Sequence, residues 1–146
     1  MKKFLLALQF LTIIPVKMKN IKEGDLSSSV IYFPLIGLLL GLLLVGINKV
    51  LLILNFDQFI ANIILVISLI LLTGGIHIDG VADTADAFLS RKNREEMLVI
   101  MRDSHIGSMG ALSLISVILL KIAFLSYPGF PSKAAPLLLM CVKPVA

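Results

Sequence analysis

Three aspartates, Asp79, Asp83 and Asp86, stand in a run of small residues that reads Thr73-Gly74-Gly75-Ile76-His77-Ile78-Asp79-Gly80-Val81-Ala82-Asp83-Thr84-Ala85-Asp86-Ala87-Phe88. On a helix, spacings of four and three place all three carboxylates on one face. Like charges so placed repel, and such a helix is weakened unless a cation or protons neutralise it. Hard oxygen donors in this pattern suit Mg²⁺ or Mn²⁺, which commonly take one or two carboxylates together with substrate phosphates. A merely solvated helix face is the plainer interpretation. It would normally interleave Lys or Arg with the acids, and residues 73–88 contain neither.

A second polar stretch follows: Met101-Arg102-Asp103-Ser104-His105-Ile106-Gly107-Ser108-Met109-Gly110. Arg102 could hold a phosphate by paired hydrogen bonds. Asp103 could be a fourth metal ligand or could orient His105. Gly107 and Gly110 permit close backbone approach, and the free N–H groups of a starting helix favour an anion, which makes Gly107 a candidate phosphate contact. The same residues could form no more than a tight turn and an N-cap. His77 and His105 flank the carboxylates in sequence, and either could act as a general base. A histidine hydrogen-bonded at an interface for structural reasons is the commoner case.

The elements that must position these groups are membrane helices. Of the 146 residues 58% are hydrophobic and 15% charged, against about 25% charged in an average soluble domain. The mean hydropathy is +1.03, and Val30–Val45 and Ile60–Leu72 carry no charge at all. Those values exclude an ordinary soluble globule and intrinsic disorder, which needs low hydrophobicity and high net charge. A single cysteine, Cys141, cannot form an internal disulfide. The net charge of +4 comes without tryptophan or a basic-aromatic platform, so no nucleic-acid partner is expected.

A spanning helix needs about 20 predominantly apolar residues. The pattern predicts spans over about 30–54, 59–76 and 108–125, with the turn Asn55-Phe56-Asp57-Gln58 joining the first two. A further span beginning at Ala134 would be incomplete. Phe4–Val16 is too short to cross and carries no small-residue cleavage site, so an interfacial or partly buried helix is expected rather than a removed signal. Five lysines precede the first span (Lys2, Lys3, Lys17, Lys19, Lys22), and four basic residues lie between the second and third (Arg91, Lys92, Arg94, Arg102). The turn at 55–58 has none, and the positive-inside rule then puts the N-terminus and the acidic segment in the cytoplasm. The expected fold is all-α: a single domain over 1–146, a polytopic membrane bundle with an N-terminal interfacial helix and a cytoplasmic acidic segment.

Thr73–Phe88 (TGGIHIDGVADTADAF) and Ile100–Leu112 (IMRDSHIGSMGAL) closely resemble the cobalamin synthase family, the adenosylcobinamide-GDP ribazoletransferases. Phe4–Val16 (FLLALQFLTIIPV) and Tyr32–Leu40 (YFPLIGLLL) resemble the same family in the same order. The resemblance implies a Mg²⁺-dependent phosphotransferase of the cell (inner) membrane that joins adenosylcobinamide-GDP to α-ribazole or its 5′-phosphate and releases GMP. The chemistry of that reaction agrees with the residues: Asp79, Asp83 and Asp86 are expected as metal ligands, Arg102 and Asp103 as support on the phosphate side, and the base among Asp83, Asp86, His77 and His105. A homo-oligomer or association with other cobalamin-assembly proteins would fit such an enzyme. Members of the family continue through further membrane helices, so the chain is expected to be truncated at its C-terminus. The acidic motif is similar in style to that of CDP-alcohol phosphotransferases, but Ala82 is followed by Asp83 where that family has Ala-Arg, which ranks that family second. An inactive structural subunit and a small transporter are the remaining alternatives.

Overall fold

Two adjacent glycines set the course of the middle of the chain. The structure, a computed structural model, describes residues 2–16 and 24–127. Gly74 and Gly75 both take positive φ, +64° and +74°, the left-handed region that glycine enters without steric cost. The Gly75 N–H donates to the Ile70 carbonyl at 2.9 Å, closing the end of the preceding helix as a glycine C-cap does. Helix α4 (Gln58–Leu72) therefore stops there, and α5 (Ile76–Leu89) leaves at 87° to it.

The other elements are α1 (Lys2–Leu11), α2 (Asp25–Ser29), α3 (Phe33–Ile53), α6 (Arg94–Ile100) and α7 (Ser108–Leu125). No strand occurs among the described residues. A 3-10 turn at Val30–Tyr32 joins α2 to α3, so the first apolar helix runs without a break from Asp25 to Ile53. Its start is five residues earlier than the sequence suggested. Pro34 sits in the first turn of α3, where a missing N–H costs nothing.

The α3–α4 turn forms as expected. Asn55 takes φ +59°, and the Phe56 N–H returns to the Leu51 carbonyl at 3.1 Å. Asp57 caps α4 by accepting from the Phe59 N–H at 2.8 Å.

The expected second span is corrected at its end. α4 stops at Leu72 rather than continuing to Ile76, because the two left-handed glycines end the hydrogen-bond ladder. Its 15 residues reach about 22 Å, short of the roughly 30 Å of a bilayer core. Asp25–Ile53 and α7 are each long and apolar enough to cross, and α4 with α5 would make a third only as a broken pair. Helix α7 has the bounds expected for the third span. A span beginning at Ala134 lies outside the described residues.

Two apolar clusters hold these helices together. One joins α3, α4 and α7 through Leu44, Leu65, Val66, Leu69 and Leu125. The other buries Ala7 and Leu11 of α1 against Ile36 and Leu40 of α3. The Phe10 and Phe33 rings stack at 5.6 Å on its flank. Helix α1 is thus partly buried. It ends at Leu11 because the chain must turn extended before Pro15, and there the Ile13 N–H donates to the Leu72 carbonyl at 2.9 Å.

Candidate functional site

Helix α5 carries the acidic residues, and its composition allows α7 to lie close. Gly80, Ala82, Ala85 and Ala87 present little bulk, and α7 packs along α5 more extensively than on any other element. The two ends of α7 meet different elements. Gly107 and Gly110, at the start of α7, meet Asp86, whereas Ser126, just past its end, meets Asn62 of α4.

The segment 73–88 is helical from Ile76 onward, so the i, i+4, i+7 spacing does put Asp79, Asp83 and Asp86 along one face. Their environments differ. Asp79 is exposed, and Asp83 and Asp86 are half-buried. Partial burial, and after it the charges of Asp79 and Asp86, hold the Asp83 carboxyl above its usual range. Burial of the charged form is the larger cause, and the two neighbouring carboxylates add to it. Asp86 is different again, for its Oδ2 accepts from the Gly107 N–H and its Oδ1 from the Gly110 N–H, both at 2.7 Å.

Among the described residues no group of three or more His, Cys, Asp or Glu side chains converges closely enough to hold a metal ion. The three-carboxylate ligand set expected from the spacing is therefore not gathered at one point. Asp79 and Asp83, one turn apart and without a basic partner among the described residues, still fit the way Mg²⁺ is commonly bound, by one or two carboxylates with substrate phosphates completing the shell.

The loop before α7 holds the histidine. Asp103 Oδ1 accepts from the His105 backbone N–H at 3.1 Å and lies 2.6 Å from His105 Nδ1. The hydrogen bond from the His105 ring, then that from its backbone N–H, holds Asp103 below the usual carboxylate range. The same contact, with the aspartate charge, raises the His105 pKa. Of the two roles open to Asp103 in the sequence, orienting His105 is the one the geometry displays. With Nδ1 turned to the carboxylate, His105 Nε2 is left outward on a side chain that is 89% exposed.

His77 lies exposed on the first turn of α5, away from any carboxylate partner among the described residues. Arg102 is exposed and enters no ion pair among those residues. The Gly107 N–H, expected to be open to a phosphate, is already donated to Asp86. An anion does sit at this helix start, as the Gly-x-x-Gly spacing suggested, but it is a side chain of the protein itself.

Sequence reasoning did not find the polar contacts at the far end of α7. Gln58 Nε2 donates to Asn62 Oδ1 at 2.9 Å, and Asn62 Nδ2 donates to Ser126 Oγ at 3.1 Å. The available signal was an asparagine in an apolar run, since a polar group there must find a partner.

Comparison with known proteins agrees with the motifs. Residues 3–146 match the family model described as cobalamin-5-phosphate synthase. The adenosylcobinamide-GDP ribazoletransferase of Clostridioides difficile is 45% identical over 126 residues, covering 85% of this chain and 48% of that protein. Those of Brevibacillus brevis and Fusobacterium nucleatum are 42% and 36% identical, covering 90% and 99% of this chain and 54% of each relative. The chain spans about half the length of these curated relatives. No solved structure matches it. The family-wide match, the acidic helix and the loop packed beside it lead to one assignment: this chain belongs to the cobalamin-5-phosphate synthase family.

Proposed function

We propose that this chain carries the acidic site of a membrane phosphotransferase that joins adenosylcobinamide-GDP to α-ribazole, or to α-ribazole 5′-phosphate, with release of GMP. The observation that carries the proposal is that Asp79 and Asp83 stand one turn apart on α5 without a basic partner among the described residues, on a helix whose far end meets the loop that holds Asp103 and His105. The relatives bear the ribazoletransferase name, which supports this reading over the CDP-alcohol phosphotransferase alternative. The basic residues Arg91, Lys92, Arg94 and Arg102 support a cytoplasmic loop side in a multi-pass cell-membrane protein.

A ribazole hydroxyl oxygen forms a bond to the phosphorus attached to cobinamide, and the bond from that phosphorus to the bridging oxygen of GMP breaks. Asp79 and Asp83 would hold Mg²⁺, which when bound supplies neutralisation of the diphosphate charge and of the departing GMP. Arg102, long and without an ion pair among the described residues, reaches for a phosphate oxygen with a fork of N–H donors. His105 Nε2 accepts the hydroxyl proton, while Asp103 holds the ring in the tautomer that leaves this nitrogen available. Catalysis of this kind rests on positioning and charge neutralisation more than on covalent chemistry.

The test is GMP release by the purified chain in detergent with both substrates and Mg²⁺, run beside the full-length Clostridioides difficile relative. Asp83→Asn is expected to remove the Mg²⁺-dependent rate by about a hundredfold or more, the scale on which a single electrostatic stabiliser of a transition state acts. Retention of normal Mg²⁺-dependent turnover by Asp83→Asn in the relative's equivalent position would overturn the assignment.

A further inference from the structure

The third aspartate of the motif is placed for a different task from the first two. Both Asp86 oxygens are engaged at 2.7 Å, each by a separate backbone N–H of the α7 start. The first N–H groups of a helix have no partner within it, and an acceptor at that end also meets the positive pole of the helix. Here the acceptor is supplied from 21 and 24 residues upstream, by another helix.

The glycines carry the same message. Gly107 has φ −80° and ψ 175°, extended backbone that any residue adopts, so conformation does not demand glycine there. Space does. A Cβ at Gly107 would stand 2.8 Å from Asp86 Cγ, and the neighbours it would meet all belong to the Asp86 carboxylate. A Cβ at Gly110 would lie 2.9 Å from Asp86 Cγ and 3.0 Å from the Ala82 carbonyl oxygen. Carbon atoms in ordinary contact keep about 3.5–4.0 Å.

We infer that Asp86 is a positioning residue: a cap lent by α5 to the start of α7, with Gly107 and Gly110 small because they receive its carboxylate. It holds the loop bearing Asp103 and His105 against the acidic helix. It does not ligate the ion, and the Gly-x-x-Gly stretch is not a phosphate cradle. The inference deepens the functional proposal and rests on it only for the ion. The cap itself stands on the hydrogen bonds and on the glycines.

The experiment uses the whole chain in detergent, labelled with ¹⁵N-glycine, and Mn²⁺ followed by its free-ion electron paramagnetic resonance signal. Asp86→Asn is expected to speed amide exchange at Gly107 and Gly110 by about tenfold or more, the factor conferred by a hydrogen bond to a charged group. It is also expected to remove the downfield shift of those two amide protons, with Mn²⁺ affinity staying within about twofold of the parent chain. Asp83→Asn is expected to do the reverse, weakening Mn²⁺ binding about tenfold and leaving both glycine amides unmoved. A loss of Mn²⁺ affinity in Asp86→Asn, or glycine amides that ignore the substitution, would overturn the inference. Should the parent chain bind no Mn²⁺, the ion proposal fails while the glycine amides still decide the role of Asp86. A second pair of variants guards against simple misfolding. Gly107→Ala should lower the unfolding temperature in the parent chain and be near neutral beside Asp86→Ala, and strictly additive effects would overturn the cap.

Discussion

Helix α7 is tied by side-chain hydrogen bonds at both ends, and the two ties are unlike. At its start a charged carboxylate from α5 takes two backbone N–H groups, at a place where two glycines leave no room for anything else. Just past its end a neutral asparagine from α4 meets a serine hydroxyl at 3.1 Å, next to the apolar cluster of Leu65, Leu69 and Leu125. The first tie stands where the helix emerges into the polar loop, and in the second the asparagine is buried while the serine that receives it is exposed. A charge is affordable at the solvent-facing end, where it also meets unpaired N–H groups. Within the apolar bundle an uncharged amide costs far less to bury. The end beside the acidic helix is thus also the end where two backbone N–H groups are held by one carboxylate.

The contrast can be broken by substitution. The largest effect is expected from Gly110→Val, because one of the atoms its side chain would meet is the Ala82 backbone carbonyl, which cannot swing aside. A loss of about 1–3 kcal/mol in unfolding free energy, or more, is expected for such overpacking. Gly46→Ala, with open space around it, should instead be neutral or gain up to about 1 kcal/mol. Thermal unfolding in detergent distinguishes them, and equal behaviour of the two glycines would dissolve the contrast.

Next comes Asp86→Ala, at about 1.5–3 kcal/mol for hydrogen bonds to a charged group, toward the lower end because Gly107 touches solvent. Asn62→Ala should cost less, about 0.6–1.7 kcal/mol, the range measured for polar contacts between membrane helices. A larger cost at Asn62 than at Asp86 would reverse the ranking of the two ties.

The smallest change sharpens the site rather than the fold. Asp103 raises the pKa of His105, so the neutral, proton-accepting imidazole is reached only at a higher pH than usual. Asp103→Asn removes that charge and should move the acid limb of the pH–rate profile for GMP release to lower pH. An unmoved limb would show that His105 is not the titrating base.

Much of the architecture was open to inspection in the amino-acid order. Ser108–Leu125 was found with its bounds because a predominantly apolar run of this length, preceded by glycine and ended by a polar turn, is stable in a bilayer as a helix that satisfies its own backbone. The Asn55–Gln58 turn was legible because its polar residues break such a run. The end of α4 was not placed correctly. Gly74 and Gly75 sit inside an apolar stretch, and glycines are common enough in membrane helices to pass as interior. Their positive φ values appear only when α5 is seen to depart at a steep angle.

The site divides in the same way. Residue types and spacing alone suggested that three carboxylates share one face of a helix and that a helix start two dozen residues later would favour an anion, with a tight turn and N-cap as the plainer alternative. Which anion occupies it could not follow. The partner comes from a distant helix, and periodicity along a chain says nothing about what a second element presses against it. The packing of α7 on α5 sets Asp86 apart from Asp79 and Asp83 by giving one carboxylate two backbone donors and the other two none of their own from α7. Charge and spacing are properties of the chain, but which donor reaches which acceptor depends on the meeting of two helices.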